Sequence, residues 1–156
     1  MQRPGMINGI MLEVGTEVPE LQVGPLTLVD LVRWAAYQEN WIRIHYDRDY
    51  ARGQHGISEC VQSGHHRVAL IARMLTDWLG QFGWIKRVAV RHTAPVYLGD
   101  TLRCGGRIRA VARERWNVEL EVWAVRQDGR YASEGMALVE AVFSDLAQAK
   151  VAPDRS

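Results

Sequence analysis

A helical apolar pattern near the middle of the chain most limits what it can fold into. Residues 63–83 read "SGHHRVALIARMLTDWLGQFG", and their apolar side chains recur at steps of three and four residues: Val68, Ile71, Ala72, Leu75 and Leu79. This spacing places them on one face of an α-helix. We predict one long helix that begins near Ser63 and ends by Gly80 or Gly83.

After this segment the apolar residues alternate with polar ones or form short runs, as they do in strands with a buried face. Four such segments follow: "IKRVAVRHTAPV", "TLRCGGRIRAVARE", "WNVELEVWAVRQ" and "RYASEGMALVEAVF". Gly129 after Asp128 is typical of a tight hairpin, because glycine accepts a positive φ. We predict four strands in hairpin succession. The fold class is then α+β, a long central helix wrapped by an antiparallel β-sheet.

The domain organisation follows from length and local pattern. With 156 residues and 47% hydrophobic content, the chain is long enough for one core. Residues 1–11 show no periodicity and predict a flexible leader, and residues 145–156 predict a disordered tail. The single domain is therefore expected over 12–144, with a short strand and loop in 12–26.

Two shorter helices are predicted before the long one. Thr27 and Asp30 have the spacing of a capping box, in which each side chain accepts from the other's free backbone N–H group. This predicts a helix that continues to about Glu39. A further helical turn is predicted over Asp47–Arg52, with Gly53 as its left-handed stop.

Charge and cysteine content exclude several classes of function. Nineteen basic and eighteen acidic residues give a formal net charge of +1, which creates no field to favour nucleic acid or a membrane surface. Cys60 and Cys104 do not have metal-ligand spacing, and no apolar stretch reaches the roughly 20 residues of a membrane span. We expect a small-molecule ligand, no metal, and a reducing cytoplasm.

Residues 38–51, "QENWIRIHYDRDYA", crowd polar and aromatic side chains after the first predicted helix. An imidazole such as that of His45 moves protons near neutral pH, and an amide such as that of Asn40 can hold a water molecule. Trp41 could form an apolar wall that shields the site. The alternative is an ordinary, partly buried histidine in a surface loop.

The start of the long helix is a second candidate site. Free backbone N–H groups point outward at a helix N-terminus, and Gly64 after Ser63 would let a ligand oxygen approach them. We expect the amides of Gly64 and His65 to hold a developing oxyanion. His65 and His66 point about 100° apart on a helix, so they cannot share a metal. Alternatively, they are only polar residues of a first turn.

Five arginines occupy odd positions in the second predicted strand, and alternate residues of a strand share a face. They are Arg103, Arg107, Arg109, Arg113 and Arg115. The pattern fits a solvated face. It also fits a set of contacts to the phosphates of a nucleotide-bearing ligand, most of all for Arg103, Arg107 and Arg109, because guanidinium groups bind phosphate in a bidentate manner.

Three stretches in order resemble the MaoC-like acyl dehydratases, or (R)-specific enoyl-CoA hydratases: "LTLVDLVRWAAYQENWIRIHYDRDYA", "SGHHRVALIARMLTDWLG" and "RHTAPVYLGDTLRCGGRI". The resemblance runs from about Leu12 to Phe143 and implies the hotdog fold. The family motif has an Asp five residues before its His and an acidic residue two after it, so His45 and Asp47 match. Asn40 replaces the usual Asp, and Ser63 replaces the His of the usual "HG" pair.

The resemblance implies hydration of an enoyl thioester, with His45 and Asn40 acting on water and the Gly64 amide on the thioester carbonyl. Coenzyme A or an acyl carrier is then part of the substrate, and no cofactor or metal is required. The missing Asp keeps open a non-catalytic subunit that pairs with a complete hydratase. A hotdog thioesterase, in which water attacks the carbonyl, is a further alternative because fold alone does not determine the reaction.

The "RIHYD" wording resembles a family branch that acts on carboxylated enoyl-CoAs such as mesaconyl-CoA. If the loop is extended, Arg43 faces the same side as His45 and could pair with a substrate carboxylate. Arg43 could instead be a surface residue.

Exposed sheet edges also predict a homodimer or a higher homo-oligomer, or a heteromer with another hotdog subunit.

Overall fold

The computed structural model describes residues 5–54, 56–112, 114 and 117–141. Its helices and strands, in chain order, are β1 (Met6–Ile7), β2 (Ile10–Met11), β3 (Glu17–Val23), α1 (Leu28–Tyr37), α2 (Arg48–Arg52), α3 (Gly64–Leu79), β4 (Gly83–His92), β5 (Leu102–Ala112), β6 (Asn117–Arg126) and β7 (Tyr131–Ala141). Short 3₁₀ turns lie at Arg43–His45 and Gly80–Phe82. The predicted tail 145–156, Arg113 and Arg115 lie outside the described residues.

Five strands form one antiparallel sheet in the order β3-β5-β6-β7-β4. The predicted hairpin succession is confirmed for β5, β6 and β7, and Gly129 has the positive φ of +83° expected in the turn between β6 and β7. It is wrong for β4, which pairs with β7 and not with β5. The connection over residues 93–101 is long enough to carry the chain from the β4 edge of the sheet to β5, which lies next to the opposite edge.

Helix α3 packs on one face of the sheet and supplies the centre of the core. Its apolar buried residues are Leu70, Ile71, Met74, Leu75, Trp78 and Leu79. Burying a side chain of this size stabilises the fold by about 1.5–3 kcal/mol. Val68 and Ala72, which the periodicity placed on the buried stripe, are only partly buried. The predicted stripe and the observed buried face both have helical spacing, and the packing of the larger side chains decides which face turns inward.

The predicted flexible leader is wrong for residues 6–11, which form the β1-β2 hairpin. Asn8 and Gly9 both have positive φ, at 47° and 80°, as a two-residue Asn-Gly hairpin turn requires. The hairpin buries Ile7 in the core, and the Asn8 side chain donates to the Trp78 carbonyl at the end of α3. The "NG" pair was the local signal for this hairpin.

The two short helices have the predicted starts. Thr27 caps α1 and forms a capping box with Asp30, whose carboxylate accepts from the Thr27 N–H at 2.8 Å. Asp47 caps α2 by accepting from the Tyr50 N–H at 2.9 Å. Gly53 ends α2 with a right-handed φ of −74°, so the predicted left-handed stop is wrong. No helix among the described residues is both long enough and apolar enough to span a bilayer.

Candidate active site

Asn40 is held by the way helix α1 ends. Its backbone N–H donates to the Ala35 carbonyl at 2.9 Å, and the N–H of Glu39 donates to the Ala36 carbonyl at 3.2 Å. These two bonds form a Schellman motif, in which the residue before the donor of the longer-range bond has a left-handed backbone conformation. Glu39 accordingly has a φ of +51°. The motif turns the chain sharply and places Asn40 beside the helix that precedes it.

His45 ends the 3₁₀ turn, and its ring is anchored by one hydrogen bond. Nδ1 lies 2.7 Å from the Val61 carbonyl oxygen, and the Val61 N–H donates to the Ile44 carbonyl at 3.1 Å. A carbonyl only accepts, so the Nδ1 atom must carry the proton of the neutral ring. The Nε2 atom is then left with a free lone pair, which is the state that a general base requires.

The segment that anchors His45 is itself tied to the loop between β4 and β5. Val61 pairs with Tyr97 in an isolated antiparallel bridge. The Gln62 N–H donates to the Val96 carbonyl at 2.7 Å, and the Leu98 N–H donates to the Cys60 carbonyl at 2.9 Å. The "PVYLGD" stretch therefore positions His45 indirectly, through the backbone of residues 60–62.

Asp100 holds that loop in shape. Its carboxylate accepts from the Tyr97 N–H at 2.8 Å and from the Gln127 side chain at 2.6 Å. The guanidinium of Arg126 lies 3.3 Å away, and both charged side chains are largely buried, at 14% exposure for Arg126 and 10% for Asp100. A paired charge of this kind is costly to disturb, because removing one partner leaves the other buried alone.

The N-terminus of α3 lies beside this region, where Ser63 lines the same surface as His45. Ser63 occupies the N-cap position, but its side chain makes no capping hydrogen bond within the described part of the chain, and the first N–H groups of a helix have no intrahelical acceptor. The His92 ring packs against Gly64. A Cβ atom at position 64 would lie 2.6 Å from His92 Nε2, so glycine is the residue that this contact allows.

His92 was missed by the sequence analysis, since no local pattern links the end of β4 to the start of α3. Its Nδ1 atom lies 2.8 Å from the hydroxyl of Ser133, which is fully buried. Burial lowers the pKa of His92, and Coulombic interactions with Arg67 and His65 lower it further. Arg67 is itself buried, donates to the Ala94 carbonyl at 2.7 Å, and has its pKa lowered by burial.

A narrow crevice joins these elements. It is lined by Leu31, Trp34, Ala35, Asn40, His45, Ser63 and His66, and it leaves no room for a water-sized sphere. The structure thus brings together three of the predicted site residues, Asn40, His45 and Ser63, with Gly64 next in the chain. The crevice also contains His66, whereas the side chain of His65 is exposed. The role predicted for His65 concerns its backbone amide and stays a prediction.

His66 is packed face to face on Trp34. The two rings are 4.7 Å apart between centroids with an angle of 8° between their planes. Two buried atoms, His66 Nδ1 and Trp34 Nε1, have no hydrogen-bond partner among the residues that the structure describes. Burial lowers the pKa of His66, and the Asp30 carboxylate on α1 offsets this in part. The ring is therefore neutral near pH 7.

Two other predicted residues lie outside the crevice. Trp41 is 55% exposed and contacts Tyr46 edge to face, while Trp34 is the tryptophan that walls the crevice. The Arg43 guanidinium forms an ion pair with the Asp47 carboxylate at 2.7 Å and lies over the Tyr50 ring, 4.4 Å from its centroid. The expected extended loop is wrong, because a 3₁₀ turn has about three residues per turn and points residues 43 and 45 about 120° apart.

The arginines of β5 project from the sheet face opposite to α3, because they alternate with the buried residues Leu102, Cys104 and Ile108. Each lies near a glutamate: Arg103 is 3.3 Å from Glu20, Arg107 is 2.6 Å from Glu17, and Arg109 is 3.8 Å from Glu121. These exposed ion pairs favour the solvated face over a set of phosphate contacts. Phosphate binding by these residues stays a prediction.

Known proteins resemble this chain in sequence and in fold. The family model described as "MaoC like domain" matches residues 13–125. The 3-oxo-4,17-pregnadiene-20-carboxyl-CoA hydratase beta subunit of Mycobacterium tuberculosis is 32% identical over 102 residues, which cover 65% of this chain and 77% of that protein.

Three solved structures share the fold. The R-hydratase PhaJ1 of Pseudomonas aeruginosa superposes with a TM-score of 0.80 at 24% identity, over 92% of this chain and 90% of that one. The (R)-hydratase of A. caviae involved in PHA biosynthesis has a TM-score of 0.77 at 21% identity, over 83% and 97%. One chain of the ChsH1-ChsH2 complex of Mycobacterium tuberculosis has a TM-score of 0.76 at 25% identity, over 84% of this chain and 99% of that one. The predicted hotdog fold is confirmed.

Proposed function

Because this chain belongs to the MaoC-like domain family, we propose that it is an enoyl-thioester hydratase. It adds water across the α,β double bond of an acyl-CoA or acyl-carrier thioester and forms a 3-hydroxyacyl thioester; the reverse reaction is a dehydration. One observation carries this proposal: Asn40 and His45 line the same crevice beside the start of α3. The hydratase names of the sequence relative and of the structural neighbours support it.

The reaction needs a base for water and a stabiliser for the thioester oxygen. The Nε2 atom of His45 accepts a proton from water while the water oxygen bonds to the β-carbon. The electron pair of the double bond moves toward the thioester carbonyl. Its oxygen gains negative charge, which the free N–H groups at the start of α3 stabilise, with Gly64 allowing a close approach.

Asn40 orients the water molecule that His45 activates. Its amide can donate to and accept from water, but it cannot exchange a proton as the Asp of most relatives does. The crevice has no room for a water-sized sphere. Binding of the acyl group must therefore move side chains apart before water can reach His45.

A panel of enoyl-CoA thioesters incubated with the purified protein tests this function. We expect loss of the double bond and formation of a 3-hydroxyacyl-CoA, with no release of free coenzyme A. Release of the free thiol would indicate the thioesterase alternative. If the protein on its own reacted with none of the substrates, the non-catalytic subunit would be favoured. Asn40 suggests this alternative, and so does a relative that is itself called a beta subunit.

Gly64→Ala is expected to lower hydration strongly. The added methyl group would collide with the ring of His92, and relieving this collision would displace the N–H groups at the start of α3 that stabilise the thioester oxygen. The double variant Gly64→Ala with His92→Ala relieves the collision. We expect it to regain much of the kcat/KM that Gly64→Ala loses, although its thermal stability stays below that of the parent because the buried Ser133 hydroxyl loses its partner. A double variant no more active than Gly64→Ala would contradict this account.

Assembly as a dimer is proposed on the basis of exposed surface. Strands β3 and β4 are the edges of the sheet, and unpaired edges invite pairing with another chain. Exposed apolar side chains also gather on α1 and the loop after it: Leu28, Val29, Val32, Tyr37, Trp41 and Ile42. The structural neighbour formed by two different chains, ChsH1-ChsH2, makes a heteromer the alternative. A monomeric mass by light scattering at micromolar concentration would contradict self-assembly.

A further inference from the structure

The proposed hydration leaves one proton transfer without an obvious residue. Two protons move in the reaction: one leaves the attacking water, and one arrives at the α-carbon. In most relatives an Asp and a His share this work, as the family resemblance implies, but Asn40 has no proton to exchange. The inference below rests on the proposed function and identifies the residue that fills this gap.

His66 is the titratable side chain placed to do so. It lines the same crevice as Asn40 and His45, although it comes from α3 while those two come from the segment after α1. Its Nδ1 atom is buried and has no hydrogen-bond partner among the described residues. Stacking on Trp34 holds the plane of the ring. A buried polar atom without a partner is costly, so this nitrogen is available to a ligand.

We propose that His66 is the second proton-transfer group of this site, in the role that an aspartate at position 40 has in most relatives. In the dehydration direction, a nitrogen of neutral His66 takes the proton from the α-carbon. The C–H electron pair forms the double bond, the C–O bond at the β-carbon breaks, and protonated His45 gives its Nε2 proton to the leaving hydroxyl. Water leaves, and His66 keeps the proton.

Hydration is the reverse of these steps. His45 removes a proton from water as the new C–O bond forms, and protonated His66 delivers a proton to the α-carbon. The two histidines then differ by one proton from their starting states, and exchange through solvent restores them. The burial that lowers the pKa of His66 keeps the ring neutral near pH 7, which is the form that the dehydration step requires.

His66→Phe is the direct test, because a phenyl ring keeps the stack on Trp34 but carries no proton. We expect kcat for dehydration of a 3-hydroxyacyl thioester to fall about 10²-fold or more in His66→Phe and to a similar extent in His66→Gln. The kcat for hydration should fall with it, because the two directions share one transition state. Arg73→Gln is the control, since Arg73 lies on the same helix with its side chain 63% exposed and paired to Asp77. Its kcat should equal that of the parent protein, and thermal unfolding should show all variants folded.

Rescue by Asn40→Asp separates chemistry from packing. If His66 replaces the missing carboxylate, the double variant Asn40→Asp with His66→Phe should have a kcat at least about tenfold higher than that of His66→Phe. A change of this size is within the range that general acid-base catalysis contributes. A merely structural role for His66 would not be rescued from position 40. Full activity of His66→Phe, or a double variant no better than His66→Phe, would overturn the inference. Absence of hydration by the unaltered protein would instead refute the proposed function.

Discussion

His45→Gln is expected to lower kcat for enoyl-thioester hydration about 10²–10⁴-fold, the range that a positioned general base contributes. The glutamine amide can still donate to the Val61 carbonyl, which now accepts from His45 Nδ1 at 2.7 Å. The turn should therefore keep its shape while the site loses the nitrogen that accepts a proton from water. Steady-state kinetics with crotonyl-CoA, together with thermal unfolding, measures both effects.

Tyr46→Phe is the matched control for this prediction. Tyr46 is the next residue in the chain, and its hydroxyl donates to the Trp41 carbonyl at 3.0 Å. Its removal should leave kcat unchanged within a factor of about two, because surface hydrogen bonds contribute little. If His45→Gln retained turnover close to that of Tyr46→Phe, His45 would not be the base.

Asp100→Asn is expected to give a large loss of stability. It leaves Arg126 largely buried, with the more exposed Asp128 at 3.5 Å as its remaining counter-ion, and takes an acceptor from the loop that anchors residues 60–62. Breaking a buried pair in this way costs about 3 kcal/mol in the free energy of unfolding. In a chain of this length the midpoint of thermal unfolding should fall by about 6–12 °C.

Asp128→Asn is the control for Asp100→Asn, since Asp128 also pairs with Arg126 but at 3.5 Å and from a more exposed position. Exposed pairs contribute about 0–1 kcal/mol, so we expect a shift of a few degrees at most. We also expect Asp100→Asn to reduce kcat, because the loop positions Val61 and Val61 anchors His45. Equal stability of the two variants would contradict the role given to Asp100.

Much of this fold follows from local sequence pattern. The period of the apolar residues locates α3 and strands β4 to β7, and the capping box of Thr27 and Asp30 locates the start of α1, because these signals depend on neighbours within one or two turns. The pairing of β4 with β7 does not follow from such signals. A long connection permits either neighbour, and only the packing of the whole sheet selects one.

The candidate site was predicted only in part, again because sequence signals are local. Asn40 and His45 are close in sequence and belong to one motif, so their side-chain chemistry identified them as candidates. His66 and His92 reach the region from α3 and from the end of β4, and their contributions depend on which way each helix or strand face turns. The buried face of α3 includes Leu70, Met74 and Trp78, which lie beside the stripe that periodicity favoured.

Arg43 shows the limit of a local argument about a loop. An extended backbone would have placed it beside His45, but the 3₁₀ turn directs its guanidinium to Asp47 and Tyr50. Asp47 thereby both caps α2 and holds Arg43 at the surface, which explains the acidic residue two positions after the histidine. Membership in the branch that acts on carboxylated enoyl thioesters stays a prediction.

Reaction in water enriched in heavy oxygen tests the central claim most directly. The unaltered protein and His45→Gln are incubated with crotonyl-CoA in this water, and the products are analysed by mass spectrometry with fragmentation. We predict that the unaltered protein places the label on the hydroxyl of the β-carbon of an intact thioester, and that His45→Gln forms at most about a hundredth as much product in the same time. Label in a free carboxylic acid, or equal labelling by the two proteins, would contradict the account.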